Sequence, residues 1–207
     1  MAADDRAGRV RATVAAEGLG LAPERDVDTA REREQVDKAR GGDAMAFREI
    51  IERHHRGIFA LARRMVGAVA DAEDLTQETF ARAYRSLDAY DPRFRLSTWI
   101  YRIALNACRD HLKSARRREH PTAQASLDAI VWDGPAPDTS TDATRNAIRV
   151  RGALDRLTPA YREVLVLKDM QELSYEEIHE ITGSPVTALK IRVLRARAKL
   201  RALLEGT

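Results

Sequence analysis

Six cations, Lys190, Arg192, Arg195, Arg197, Lys199 and Arg201, follow one another with no acid before Glu205. Their guanidinium and ammonium groups are permanently charged donors. The chemistry open to such a run is recognition of anions, meaning phosphate oxygens and the acceptor edges of bases. A solvated helix face normally mixes both signs, and this one does not. Val186, Leu189, Val193, Ala196, Leu200 and Leu203 recur between the cations at three- and four-residue steps, which predicts one helix buried along one stripe. Just upstream, Ser174 and Glu177 have the spacing of a reciprocal capping box. Gly183 supplies a left-handed stop, and Ser184-Pro185 opens the next element. The stretch therefore predicts a helix-turn-helix whose second helix enters a major groove. Lys190, Ile191, Leu194 and Arg195 form the expected base-facing set. Arg192, Arg197 and Lys199 lie toward phosphates and add affinity without sequence preference.

A second basic face lies on a helix expected from Ser97 to about Arg118. Arg102, Asn106, Arg109, Lys113 and Arg116 share one side, while Trp99, Ile100, Ile103, Ala107, His111 and Leu112 make the core side. Trp99 and Tyr101 stand beside these cations, a combination that suits unstacked bases on a phosphate track, although Trp99 fits a core equally well. A different chemistry marks the helix expected to start at Asp71. Leu75, Thr79, Phe80, Ala83 and Leu87 form its buried side, and Glu73, Asp74, Gln77 and Glu78 crowd its start. Acids there complement the helix dipole. Four such groups exceed what capping needs, which points to a basic protein partner.

The elements that carry these faces are small. The 207 residues are 32% charged and only 5% aromatic, with a formal charge of +3, a composition that favours two small helical domains. Residues 1–35 read as a mobile N-terminal extension. Gly41 and Gly42 then break the chain, and Asp43 caps a helix whose apolar side is Phe47, Ile50, Ile51, His54, Ile58, Leu61, Ala62 and Met65. His54 reads as a core-edge histidine, since no second ligand stands at metal spacing. Residues 119–144, with three prolines and an acidic bias, read as a linker in which Ile130, Val131 and Trp132 are the apolar exception. The second domain occupies 145–207. The single cysteine, Cys108, excludes an internal disulfide and suits a reducing cytoplasm. No apolar run is long enough for export or membrane spanning. No nucleophile-base pair, phosphate loop or metal cluster is evident, so neither catalysis nor a cofactor is expected.

Taken together, three segments resemble the extracytoplasmic function (ECF) group of bacterial RNA polymerase sigma factors, across about 36–118 and 145–204. DAEDLTQETFARAYRSL is similar to that family's core-polymerase-binding helix, STWIYRIALNACRDHLK to its promoter-melting helix, and LTPAYREVLVLKDMQELSYEEIHEITGSPVTALKIRVLRARAKL to its −35-reading domain. The resemblance implies an all-α fold of two domains, core RNA polymerase (β′ clamp helices and β flap) and promoter DNA as partners, and an anti-sigma factor as the restraint the family often has. It places Asp74, Gln77 and Glu78 against the clamp helices. Arg93, Arg95, Trp99, Arg102, Asn106, Arg109 and Lys113 would lie on the −10 element, with Asp91–Ser97 as a loop that captures a flipped base. Thr187, Lys190, Ile191, Arg192, Leu194, Arg195 and Arg197 would lie on the −35 element. Where the family typically has Val-Gly-Thr-Val-Lys-Ser-Arg, this chain has Val186-Thr187-Ala188-Leu189-Lys190-Ile191-Arg192, so an apolar Ile191 replaces a hydroxyl and a changed base preference is expected. Two rival classes remain. A helix-turn-helix response regulator would need a strand-alternating receiver domain that 36–118 does not supply, and a helical adaptor would leave both basic faces unexplained.

Overall fold

The computed structural model describes residues 29–119 and 142–205. Most of the expected extension and linker, with Ile130, Val131 and Trp132, lies outside the described residues. The first half is built from α1 (Thr29–Arg40), α2 (Ala44–Val66), α3 (Val69–Arg85) and α4 (Leu96–Glu119). The expected domain start at 36 falls inside α1, where Gln35, Val36 and Ala39 are buried. Asp43 caps α2 as its type predicts, accepting from the amides of Met45 at 2.8 Å and Ala46 at 3.2 Å. Asp71 does not cap α3. That helix starts two residues earlier with Ala68 as its cap, and no side chain closes it. Asp71 instead lies in the first turn, 3.5 Å from His111 Nε2. Similarly, α4 begins at Leu96 rather than after Ser97.

The second half comprises α5 (Asp142–Asp155), α6 (Pro159–Leu165), α7 (Tyr175–Thr182) and α8 (Val186–Glu205). Pro159 opens α6, where a missing amide costs nothing. The helix then widens into a π turn over Val166–Met170, sealed by Gln171 N donating to Val166 O at 2.9 Å. Ser174 Oγ accepts from Glu177 N at 3.1 Å and Glu177 Oε2 accepts from Ser174 N at 2.7 Å, which completes the capping box. Gly183, at φ 72°, ends α7 in the left-handed region where only glycine is unstrained. Among the described residues there is no strand, and no helix is long and apolar enough to cross a membrane.

The two helical domains share one continuous core, from Ile50, Leu61 and Met65 through Leu96, Ile100 and Leu105 to Leu165, Leu167, Ile178 and Leu189. Arg162 fastens the junction. Its buried guanidinium donates to Met65 O at 2.6 Å, Leu154 O at 3.1 Å and Asp155 O at 2.7 Å, serving carbonyls at the C-terminal ends of α2 and α5. Helix-end carbonyls run short of i+4 amides and carry the negative end of the helix dipole, so a cation there is doubly suited. Arg151 adds a bond to Gly67 O. Tyr101, expected beside the −10 cations, is instead buried at this junction. Its hydroxyl donates to Gln171 Oε1 at 2.8 Å, and burial pushes its pKa up to about 12. Gly57 on α2 makes room for it, since a Cβ there would stand 2.6 Å from the Tyr101 oxygen.

Candidate nucleic-acid interface

Three surfaces carry the expected site residues. On α8, Leu189, Val193 and Ala196 are buried in the core, which turns Thr187, Lys190, Ile191, Leu194 and Arg195 outward. Ile191 is 52% and Leu194 70% exposed, an unusual position for two large aliphatic side chains with cations on either side. Lys190 Nζ lies 5.7 Å from the centre of the Tyr175 ring, and Lys168 Nζ lies 4.8 Å from it. Tyr175 thus draws one recognition-helix cation toward the start of α7. Arg192 is half-buried, with Nη1 donating to Ser184 Oγ at 3.5 Å. Arg197 differs from the solvent-facing cations: Nε donates to Asp169 Oδ2 at 2.9 Å, and its Nη2 reaches Oδ1. Asp169 belongs to the π turn, so this pair ties α8 to the widened end of α6.

On the first domain, Arg102, Asn106 and Lys113 are exposed along α4. Arg109 shares their face but is held by Glu163 of α6, with Nε to Oε2 at 2.9 Å and Nη2 to Oε1 at 2.8 Å. Its Nη1 donates to Asn106 Oδ1 at 3.3 Å. Trp99 is half-buried with its ring tilted against Tyr90, centroids 5.4 Å apart. The connection between α3 and α4 projects three side chains. Arg93 is pinned to Asp91 by a 2.8 Å bond from Nε, and that guanidinium holds the Asp91 carboxyl below its usual range. Phe94 is 44% exposed. Arg95 Nη1 lies 3.4 Å from Glu177 Oε1 of the second domain.

The third surface is α3, where Asp74, Gln77 and Glu78 are all exposed. Glu78 is satisfied internally by Arg82, at 3.1 Å and 2.6 Å. Beside Gln77, Phe47, Ile51, His55, Phe80 and Tyr84 line an apolar groove of about 490 Å³ between α2 and α3. Periodicity had no means to reveal it, because Phe47 and Phe80 read simply as core. Phe94 lies inside the expected Asp91–Ser97 loop without having been singled out there, though an aromatic between Arg93 and Arg95 is a legible signal. Among the described residues no group of His, Cys, Asp and Glu is arranged to hold a metal.

Residues 50–118 match the family profile of Sigma-70 region 2, and residues 147–200 that of Sigma-70, region 4. The ECF RNA polymerase sigma factor SigW of Bacillus subtilis is 34% identical over 82% of this chain and 94% of its own length. CnrH of Cupriavidus metallidurans, an RNA polymerase sigma factor, is 32% identical over 82% of this chain and 92% of its own. Among solved structures, CnrH in complex with the cytosolic domain of CnrY superposes with a TM-score of 0.62 at 31% identity, covering 85% of this chain and 98% of that one. The sigma factor RpoE of Bartonella quintana, bound to the anti-sigma factor NepR, gives 0.64 at 25% identity, covering 77% and 96%. Both profiles match in the order that the three surfaces follow along the chain, and the match takes in 82% of this chain and more than nine-tenths of each relative: the chain belongs to the sigma-70 family, as an ECF RNA polymerase sigma factor.

Proposed function

We infer that the chain acts as a promoter-selecting subunit of bacterial RNA polymerase, contributing sequence-specific contacts while the core enzyme makes RNA. The observation that carries this reading is the segregation of charge: exposed carboxylates on α3, and exposed cations on α4 and α8. Asp74, Gln77 and Glu78 dock on the basic clamp helices of the β′ subunit. Arg102, Asn106 and Lys113, with Arg109 once released from Glu163, follow the −10 strand. The loop around Arg93, Phe94 and Arg95 receives an unpaired base, since an exposed ring flanked by cations offers stacking and charge together.

At the −35 element, Lys190 and Arg195 donate to guanine O6 and N7, while Ile191 and Leu194 pack on thymine methyls. Arg192 approaches the phosphates from its half-buried position. Arg197 does so less freely, because Asp169 already takes both ends of its fork. On this reading the protein works in the cytoplasm and performs no bond chemistry itself. CnrH and RpoE have been solved with CnrY and NepR, and a regulator of the anti-sigma class is the expected second partner here.

Titration of the full-length protein against purified core RNA polymerase tests this reading. Saturable binding that Asp74→Lys and Glu78→Lys weaken together supports it. Binding to duplex DNA with no affinity for core would assign the chain to the free-standing regulators instead.

A further inference from the structure

The backbone of the α3–α4 connection is held from outside by α1, a helix that precedes the segment matching region 2. Arg40, the last residue of α1, directs its guanidinium into the 3-10 turn Leu87–Ala89. Nε and Nη2 donate to Leu87 O at 3.2 and 3.0 Å, and Nη2 also reaches Tyr90 O at 2.6 Å and Asp88 O at 3.4 Å. Two turns earlier on α1, Arg33 Nη2 donates to Pro92 O at 3.2 Å. Two arginines of one helix thus gather four carbonyls of a six-residue stretch. From the inner side, Tyr90 is buried under Trp99, and its hydroxyl donates to Phe94 O at 2.7 Å. The helix supplying the arginines is itself fixed, with Val36 and Ala39 buried and Gln35 Nε2 bonded to Glu49.

We propose that Arg40 is a positioning residue for promoter opening: its fork on the carbonyls of Leu87, Asp88 and Tyr90 holds the connection in the shape that presents Phe94 between Arg93 and Arg95. The inference rests on reading this loop as the receiver of an unpaired base. A surface loop left to itself samples many conformations and has to be ordered when a ligand arrives, and that ordering is subtracted from affinity. Carbonyls gathered before binding remove the cost beforehand. Only a planar fork serves these acceptors together, since a lysine ammonium reaches the same space as a single point. Arg40 touches no base in this scheme and acts through the loop.

The test compares wild type with Arg40→Gln and Arg40→Lys, each assembled with core polymerase. The probe is the fluorescent single-stranded non-template −10 strand of a promoter selected with the wild-type protein from a random library. Arg40→Gln is expected to bind this strand roughly tenfold more weakly, with core affinity unchanged and amide exchange quickened at Arg93 and Phe94. Arg40→Lys should lie between the two. Should Arg40→Gln fail to fold, Arg40→Lys carries the same comparison. Strand affinity unaffected by either Arg40 variant, in a protein whose Phe94→Ala variant loses it, would overturn the role of Arg40 alone. Equal loss of core and strand affinity would overturn it too, by reducing Arg40 to a fold clamp. No effect of Phe94→Ala would overturn the reading of the loop itself, and the proposal with it.

Discussion

Arg109 and Glu163, 54 residues apart, form a two-point ion pair across the junction of the two domains, with both bonds between 2.8 and 2.9 Å. A cation proposed for the −10 face is therefore neutralised by a carboxylate of the second domain. The −10 and −35 positions are separated by about 25 base pairs, roughly 85 Å of B-form DNA. Two domains joined through Tyr101–Gln171 and Arg162–Met65 cannot reach across that span. On the proposed reading, the junction parts when both elements are read together.

If Glu163 holds Arg109 back, Glu163→Gln should raise the affinity of the free protein for a single-stranded −10 oligonucleotide by about tenfold, equivalent to ~1.4 kcal/mol. Fluorescence anisotropy measures it. Tyr101→Phe, which leaves the buried Gln171 carbonyl without its donor, should shift binding the same way and cost about 1 kcal/mol of thermal stability. Arg109→Ala should lower oligonucleotide binding in the Glu163→Gln background, which separates release of Arg109 from a general loosening.

Reversing Asp74 and Glu78 to Lys should weaken core-polymerase binding by at least tenfold while leaving duplex −35 binding intact. Both positions are exposed. Loss of the Glu78–Arg82 pair should cost no more than about 0.5 kcal/mol, the usual worth of an i,i+4 helix pair. Circular dichroism melting distinguishes the two effects.

On α8, Lys190→Ala or Arg195→Ala should relax preference at one base pair and cost about 1 to 3 kcal/mol of specific binding. Ile191→Ser should change the −35 sequence selected from a randomised pool. Arg197→Ala should behave differently from Lys199→Ala. Lys199→Ala flattens the salt dependence by about one unit, whereas Arg197→Ala also lowers stability, because Asp169 then loses its partner. Salt-dependent binding and thermal melts on the two variants check this.

His54 gives a pH signature. Its Nε2 is buried without a partner, and burial, with Arg53 nearby, holds the imidazole down to about 4. Between that value and the ordinary 6.5, the unfolded chain binds a proton that the folded chain refuses. Stability should therefore fall as pH drops through this window and level off below about 4. The total is up to about 3 kcal/mol. His54→Leu should remove this part of the slope in denaturant titrations at successive pH values.

Helix starts were legible wherever capping is a matter between near neighbours, as at Asp43 and at the Ser174–Glu177 box. The stripe on α8 was legible for the same reason: a period of 3.6 is local information. Asp71 misled because Gly67, at φ 88°, ends α2 so abruptly that α3 begins before any polar cap. Tyr101 misled for a larger reason. Its place beside Arg102 follows from helical spacing, but what covers it is Gln171 of the other domain, a contact that no periodicity encodes. The pairing of Arg109 with Glu163 and of Arg197 with Asp169 was hidden likewise, since each turns an apparently free cation into one already spoken for. Charge counted along the chain overstates the cations available to DNA.

Promoter selection by this protein is tested most directly by transcription from a randomised promoter library by purified core RNA polymerase, with and without the full-length protein. Protein-dependent transcripts are expected, from templates that share a −35 element and a −10 element, with guanine-directed positions flanking at least one thymine in the −35 element. If the protein binds duplex DNA under the same conditions but adds no new start sites to core polymerase, the assignment as a promoter-selecting subunit is contradicted.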